Sequence, residues 1–380
     1  MTSRERVLCA LSHKEPDRVP IFIGTSGVTT MNTAAYDRLK AYLGIKTETK
    51  SFWRGLQYAI MDEADMVRFN SDGRPLFCGP APSTLERDLG PDRFVDAWGI
   101  TWQMQPGNHY YDMEERPLKG ATIDAIAKHP WPDLAHPSRF VGLREKARRI
   151  QEAGYAVVAL SGISPFEFSY MLRGMDDWFM DLGADHDFVH ALMGKLTFLM
   201  RSAVEKLLEE AGDYIDVVIT GDDLGSQNTT LISTSMYREL IKPYHVELMK
   251  AIKQRSNAKI FYHSDGNIYP FLNDLIEIGV DIINPVHVSA KDMGDTARLK
   301  REFGDRLCFN GAIDTQWVLP SGTTEDVRAE VRRRIRDLAP GGGYILSAVH
   351  CIQADVPAEN VCAMFDEAVK AGRYGSAAPR

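Results

Sequence analysis

Cysteine is scarce in this chain and never paired in sequence. Cys9, Cys78, Cys308, Cys351 and Cys362 are widely spaced and form no C-x-x-C motif. That excludes a disulfide framework and points to a reduced, cytoplasmic setting in which the thiols act as small buried hydrophobes. Long hydrophobic runs are missing as well. No stretch approaches the ~18 consecutive apolar residues of a membrane span, and the opening MTSRERVLCALSHKEPDRVP lacks the apolar core of a signal peptide. Positive charge is not in excess either: 44 Lys and Arg face 52 Asp and Glu, a net charge of −8. Such a balance argues against a nucleic-acid surface, though a few local arginines can still hold a small anion. No internal repeat, low-complexity tract or linker interrupts the sequence. A single domain over residues 1–380 is therefore expected, with GRYGSAAPR as a loose tail.

What the chain does have is an alternation of short apolar runs and longer amphipathic segments. The runs expected to be strands are Val19–Ile23, Ala64–Phe69, Ala156–Leu160, Asp216–Thr220, Lys259–His263, Asp281–Pro285, Leu307–Asn310 and Tyr344–Ala348. They are continuously apolar, as strands buried on both faces should be. Helical spacing marks 2–12 (with a Thr2/Glu5 capping box), 139–153, 187–212, 234–255, 325–338 and 357–371. Eight such runs predict a closed α/β barrel, (β/α)₈, over an open doubly wound sheet. Residues 70–138 break the alternation and predict an insertion after the second strand, with a β-hairpin near 97–115. Its aromatics Trp98, Trp102, Tyr110 and Tyr111 either wall a substrate pocket or pack on one another.

Polar residues concentrate where the strands end. The first run leads into GTSG, the third into SGISPFE, the fourth into GDDLGSQN and the fifth into HSDGN. The sixth ends in NPVH, the seventh in NGAID, and the eighth leads into SAVHCIQAD. A barrel gathers all these ends at one mouth, where barrel enzymes do their chemistry. In H-x-D, His263 and Asp265 point to one side of an extended segment, and imidazole with carboxylate suits a divalent metal; the alternative is a hydrogen-bonded pair without metal. Gly266 permits a tight turn beside them. Asp222 and Asp223 are candidate metal ligands or general bases, or else turn-capping acids. His350 is a candidate third ligand or proton donor and is favoured over Cys351. Glu167 lies in the first turn of a helix, as a catalytic acid or a dipole partner. Arg173, Asn310, Asp314 and Gln316 complete the candidates, as substrate contacts.

Taken together, these segments resemble the uroporphyrinogen decarboxylase superfamily. The likeness rests on T-x-R-E-R-V-L, SPFEFSYMLRGMDDW, MYRELIKPYH, FYHSDGNI, LIEIGVDIINPV, FNGAIDTQWVLPSGT and APGGGYILSAVHCIQADVPAENV, and runs from residue 2 to about 372. It implies a (β/α)₈ barrel, often dimeric, with one of two chemistries. One is cofactor-free decarboxylation of uroporphyrinogen. The other is methyl transfer between a small methylated substrate and a corrinoid (cobalamin) carried by a partner protein, assisted by zinc. Decarboxylases of the family carry an arginine-bearing R-Q-A-G-R-Y motif after the first strand; here that place reads GTSGVTTM, without arginine. The zinc methyltransferases carry H-x-C-G at the fifth strand and a further cysteine after the eighth. Here the first pattern reads His263-x-Asp265-Gly266, and counting back from Pro357-x-Glu359-Asn360 places His350 at the second. The resemblance thus favours a metal-assisted demethylating methyltransferase, with His263, Asp265 and His350 as ligands. Because both thiolates are replaced, Mn²⁺ or Fe²⁺ become more plausible beside zinc.

Overall fold

Seven parallel strands wind round a common axis in a computed structural model that describes residues 1–375, apart from the side chain of Ile163. Thirteen strands occur in all among the described residues. A short hairpin comprises β1 (Lys50–Trp53) and β2 (Tyr58–Ile60). The barrel strands are β3 (Gly73–Phe77), β8 (Ala156–Ile163), β9 (Val217–Gly221), β10 (Lys259–His263), β11 (Ile282–Val286), β12 (Cys308–Ile313) and β13 (Tyr344–Ala348), paired in that order. A separate antiparallel sheet holds β4 (Arg87–Gly90), β5 (Arg93–Val95), β6 (Thr101–Met104) and β7 (Tyr111–Glu115). The eighth stave is the extended segment 19–23. It bridges β13 through Ile21 and Leu346 and takes the Asp72 N–H on its other side, which closes the (β/α)₈ barrel.

Parity along the strands explains the interior. Ala156, Val158, Val217, Phe261, Ile282, Cys308 and Ile345 point inward and form one buried apolar cluster with Phe22. Val7 and Leu11 of the helix Ser3–Leu11 join it from below and plug the N-terminal mouth. That helix starts with the expected box: Thr2 accepts from the Glu5 N–H, and the Glu5 side chain accepts from the Thr2 N–H. The intervening residues, among them Ile260, Tyr262, Ile283, Phe309 and Leu346, face outward into the larger cluster beneath the helices. Two residues beyond the apolar layer, the inward positions turn polar: His263, Asn284, Asn310 and Ser347. Period-two alternation thus lifts a polar layer onto an apolar plug.

Three expectations are corrected. Ala64–Phe69 is not a strand; Glu63–Arg68 is a helix, with Asp65, Met66 and Phe69 buried at helical spacing and Val67 exposed. The second barrel strand is GRPLF instead, where Pro75 lacks a donor and the ladder runs to β8. The insertion follows this strand, and its hairpin β6–β7 belongs to a four-stranded sheet. The start of the supposed tail is anchored, with the Tyr374 hydroxyl donating to the Ala339 carbonyl. The remainder of that tail, 376–380, lies outside the described residues. No helix among the described residues is long and apolar enough to cross a membrane.

Candidate active site

The C-terminal mouth of the barrel opens into a cavity of about 540 Å³, within the range of small-molecule sites. His263, Asp265 and His350 meet at its floor. One ligand atom from each lies within 4.8 Å of the others. Asp265 Oδ2 stands 3.8 Å from His263 Nε2 and 3.7 Å from His350 Nε2. Atoms bound tetrahedrally at 2.0–2.2 Å are about 3.3–3.6 Å apart, so a small inward movement brings this trio to coordination distance.

The protonation pattern also fits a cation. His263 Nδ1 is 2.6 Å from Asn284 Oδ1. Asn310 Nδ2 donates to the Ile345 carbonyl, which leaves its Oδ1 to accept from Asn284 Nδ2 at 2.6 Å and from Ser347 Oγ at 3.1 Å. This chain fixes Asn284 Oδ1 toward the imidazole. Nδ1 therefore carries the proton, and the Nε2 lone pair faces Asp265. Burial lowers the pKa of His350 and favours its neutral form. Burial alone would raise Asp265, but the imidazoles of His350, His287 and His263 hold its carboxyl well below the usual range. Asp265 Oδ1 is buried without a hydrogen-bond partner among the described residues. His287 Nδ1 lies 3.3 Å from it and is also 3.0 Å from the Gly266 N–H. An ionised carboxylate with an orphaned oxygen, facing two imidazole nitrogens, is a donor set that suits a divalent cation.

Gly266 allows this packing. Its φ is +83°, and a Cβ there would lie 2.5 Å from the Gly225 backbone. Gly221 is equally constrained, since a Cβ would sit 2.4 Å from the His263 carbonyl oxygen.

The paired aspartates part company. Asp223 lines the cavity, 3.9 Å from His263 Nε2, and accepts the Asp265 N–H at 2.8 Å. Burial and then the Asp265 charge raise its pKa. Asp222, expected at the site, is fully buried and turned away from the cavity. Its carboxylate accepts the N–H groups of Phe166 (3.1 Å) and Glu167 (2.7 Å) and the His245 Nε2 proton (2.8 Å). It thus caps the helix Pro165–Arg173 from a distance, where Ser164 makes no side-chain cap. Glu167 is set into the cavity by that cap. Burial, then the charges of Asp223, Asp222 and Asp265, push its pKa well above the carboxylate range, which favours the protonated acid.

The remaining expected contacts fall elsewhere. Trp102 is 1% exposed and donates to Asp96. Trp98 packs on Phe168 and Trp131, and Tyr110 is exposed on the surface. Here the insertion's aromatics fill their own sheet and its underside. Arg173 is buried against Asp181 and the carbonyls of Leu118 and Ala121. Asp314 accepts from Ser289 Oγ and the Gln316 N–H, a loop brace. Asn310 supports His263 through Asn284 and does not face the cavity. The aromatic wall comes instead from Phe52, Trp53 and Tyr58, in a hairpin for which the sequence offered no signal, and from Phe77 at the end of β3. Asn284, Ser347 and His287 were also missed; inward parity two residues past the apolar layer identifies the first two.

Comparison with known proteins supplies the family. The model of "Uroporphyrinogen decarboxylase (URO-D)" matches residues 94–371. A uroporphyrinogen decarboxylase of Pelodictyon phaeoclathratiforme is 26% identical over 180 residues, 45% of this chain and 46% of the relative. One from Neisseria meningitidis is 21% identical over 255 residues, 63% of this chain and 66% of the relative. The chain thus matches roughly half to two-thirds of the length of these curated relatives. A solved "methyltransferase from Methanosarcina mazei" superposes with a TM-score of 0.65 at 18% identity, covering 97% of this chain and 99% of that one.

Proposed function

The chain belongs to the uroporphyrinogen decarboxylase family, and within it we propose a metal-assisted methyltransferase that moves a methyl group between a small methylated substrate and a corrinoid. The observation that carries this reading is the convergence of His263, Asp265 and His350 on the floor of an aromatic-walled cavity. A divalent ion held by those three, zinc being the ion of the methyltransferases it resembles, would supply Lewis acidity toward the substrate's heteroatom. The protein supplies the rest. Phe52, Trp53, Leu56, Tyr58 and Phe77 hold an apolar body and exclude water. Removing a methyl group from an ether leaves an oxygen that needs a proton. Glu167, kept protonated by burial, is placed to give it, and positioned acids of this kind contribute about 10²–10⁴-fold in rate. Asp223 braces the Asp265 backbone and stands beside His263.

Decarboxylation of a polycarboxylate is the second reading, and the cavity's charge argues against it. Its lining carries Glu167, Asp223 and Asp265 but a single guanidinium, Arg139, whereas a substrate with many carboxylates needs several cations. The direct assay supplies cob(I)alamin and a panel of methyl ethers, amines and thiols, and follows methylcobalamin formation by its absorbance. The reading predicts turnover with one substrate class and its loss in His350→Ala. Formation of coproporphyrinogen from uroporphyrinogen at an enzymatic rate would establish the second reading instead.

A further inference from the structure

Arg139, half-buried at the edge of the cavity, differs from the buried arginines. Arg6, Arg74, Arg173 and Arg334 each meet a carboxylate. Arg139 pairs with none among the described residues; Asp133 acts on it only at a distance. Its Nε donates to the Gly79 carbonyl at 3.0 Å and its Nη1 to the Leu134 carbonyl. Those two bonds fix the guanidinium plane against the end of β3. They leave Nη2 and the second Nη1 proton without a partner among the described residues, on a side chain that lines the cavity. Burial lowers its pKa, and no carboxylate among the described residues pairs with it directly.

Arg139 and Cys78 lie at the end of β3, three strands round from His263 on β10. That is about 14 Å along the sheet at ~4.8 Å per strand, and less straight across. Between them run the rings of Phe52, Tyr58 and Phe77. The cavity therefore has a cationic end, a flat apolar middle and a His/Asp floor. Asp265 belongs to that floor and Asp223 lies beside His263.

Building on the methyl-transfer reading, we propose that Arg139 anchors the carboxylate of an aromatic acid whose other end reaches His263 and His350. The exposed edge of the guanidinium offers two N–H groups to one carboxylate, the strongest pairing available to it.

Calorimetric titration of the metal-loaded protein with 4-methoxybenzoate and with the neutral 4-methoxybenzamide tests this. The native protein is expected to bind the benzoate at least 10-fold more tightly, and Arg139→Gln to bind the two alike. Arg139→Lys keeps the charge but loses the fork, and is expected to retain a reduced preference; it serves if Arg139→Gln fails to fold. Equal affinity for both probes in the native protein, no saturable binding of either, or an unchanged preference in Arg139→Gln overturns the proposal. Preferential benzoate binding without methyl release by any substrate leaves the anchor standing and removes the methyl-transfer reading. Methyl release from neutral ethers, unaffected in Arg139→Gln, does the reverse.

Discussion

Replacing His245 by Phe keeps an aromatic ring in place and removes two hydrogen bonds from a fully buried relay. Asp222 loses the imidazole proton and keeps only the Phe166 and Glu167 N–H groups. The Tyr237 hydroxyl loses His245 Nδ1, 3.1 Å away. A hydrogen bond to a charged group contributes about 1.5–3 kcal/mol, and an orphaned buried donor costs about 1–3 kcal/mol. Breaking a buried pair by removing one partner costs about 3–5 kcal/mol in total. Urea unfolding followed by circular dichroism should therefore show His245→Phe destabilised by about 3–5 kcal/mol. Asp222→Asn weakens the same cap and removes the charge that His245 answers. The double variant should consequently be more stable than the sum of the two losses by about 1 kcal/mol or more, the signature of groups in one network. A loss below about 1 kcal/mol in His245→Phe, or simple additivity, would refute the assignment of Asp222 to structure.

Two further outcomes follow from the same geometry. Asn284→Ala frees His263 Nδ1 and should weaken Zn²⁺ binding about 10–100-fold, measured against a competing chelator, as loss of such an orienting partner does elsewhere. At the opposite mouth, Arg6 holds Asp17 down to about 2 from its ordinary 3.8. A depressed carboxylate stabilises the fold above its unfolded value, and that contribution is lost as pH falls from 3.8 toward 2. Asp17→Asn should flatten the acid limb of a stability–pH curve over that window; an unchanged slope contradicts the pairing.

How much of this was legible in the sequence depends on the range of the interaction. His263 and Asp265 were readable because H-x-D at a strand end is local, and parity alone decides where both side chains point. His350 needed the barrel's closure to reach them, and the fold implied by the strand pattern supplied it. Asp222 and Asp223 could not be told apart, as site acids or capping acids, because adjacent acids look alike in one dimension. Only the tertiary approach of the helix Pro165–Arg173 and of His245 turns one of them into a cap. Ala64–Phe69 was misread because a short apolar run fits either period, and Pro75 hid the true strand beside it. The aromatic wall was invisible: Phe52, Trp53 and Tyr58 sit in a hairpin without strand-like alternation, and the more conspicuous tryptophans of the insertion fold onto themselves. Arg139 carried no local signal at all, since what distinguishes it is the lack of an acidic partner in space.

The account rests on one binding event. Elemental analysis of the purified protein, before and after Zn²⁺ or Mn²⁺ addition, should find one divalent ion per native chain. His263→Ala and His350→Ala, folded by circular dichroism, should each lose it. A native protein that takes up no stoichiometric ion, or a His350→Ala variant that holds one as tightly as the native chain, would contradict the metal centre.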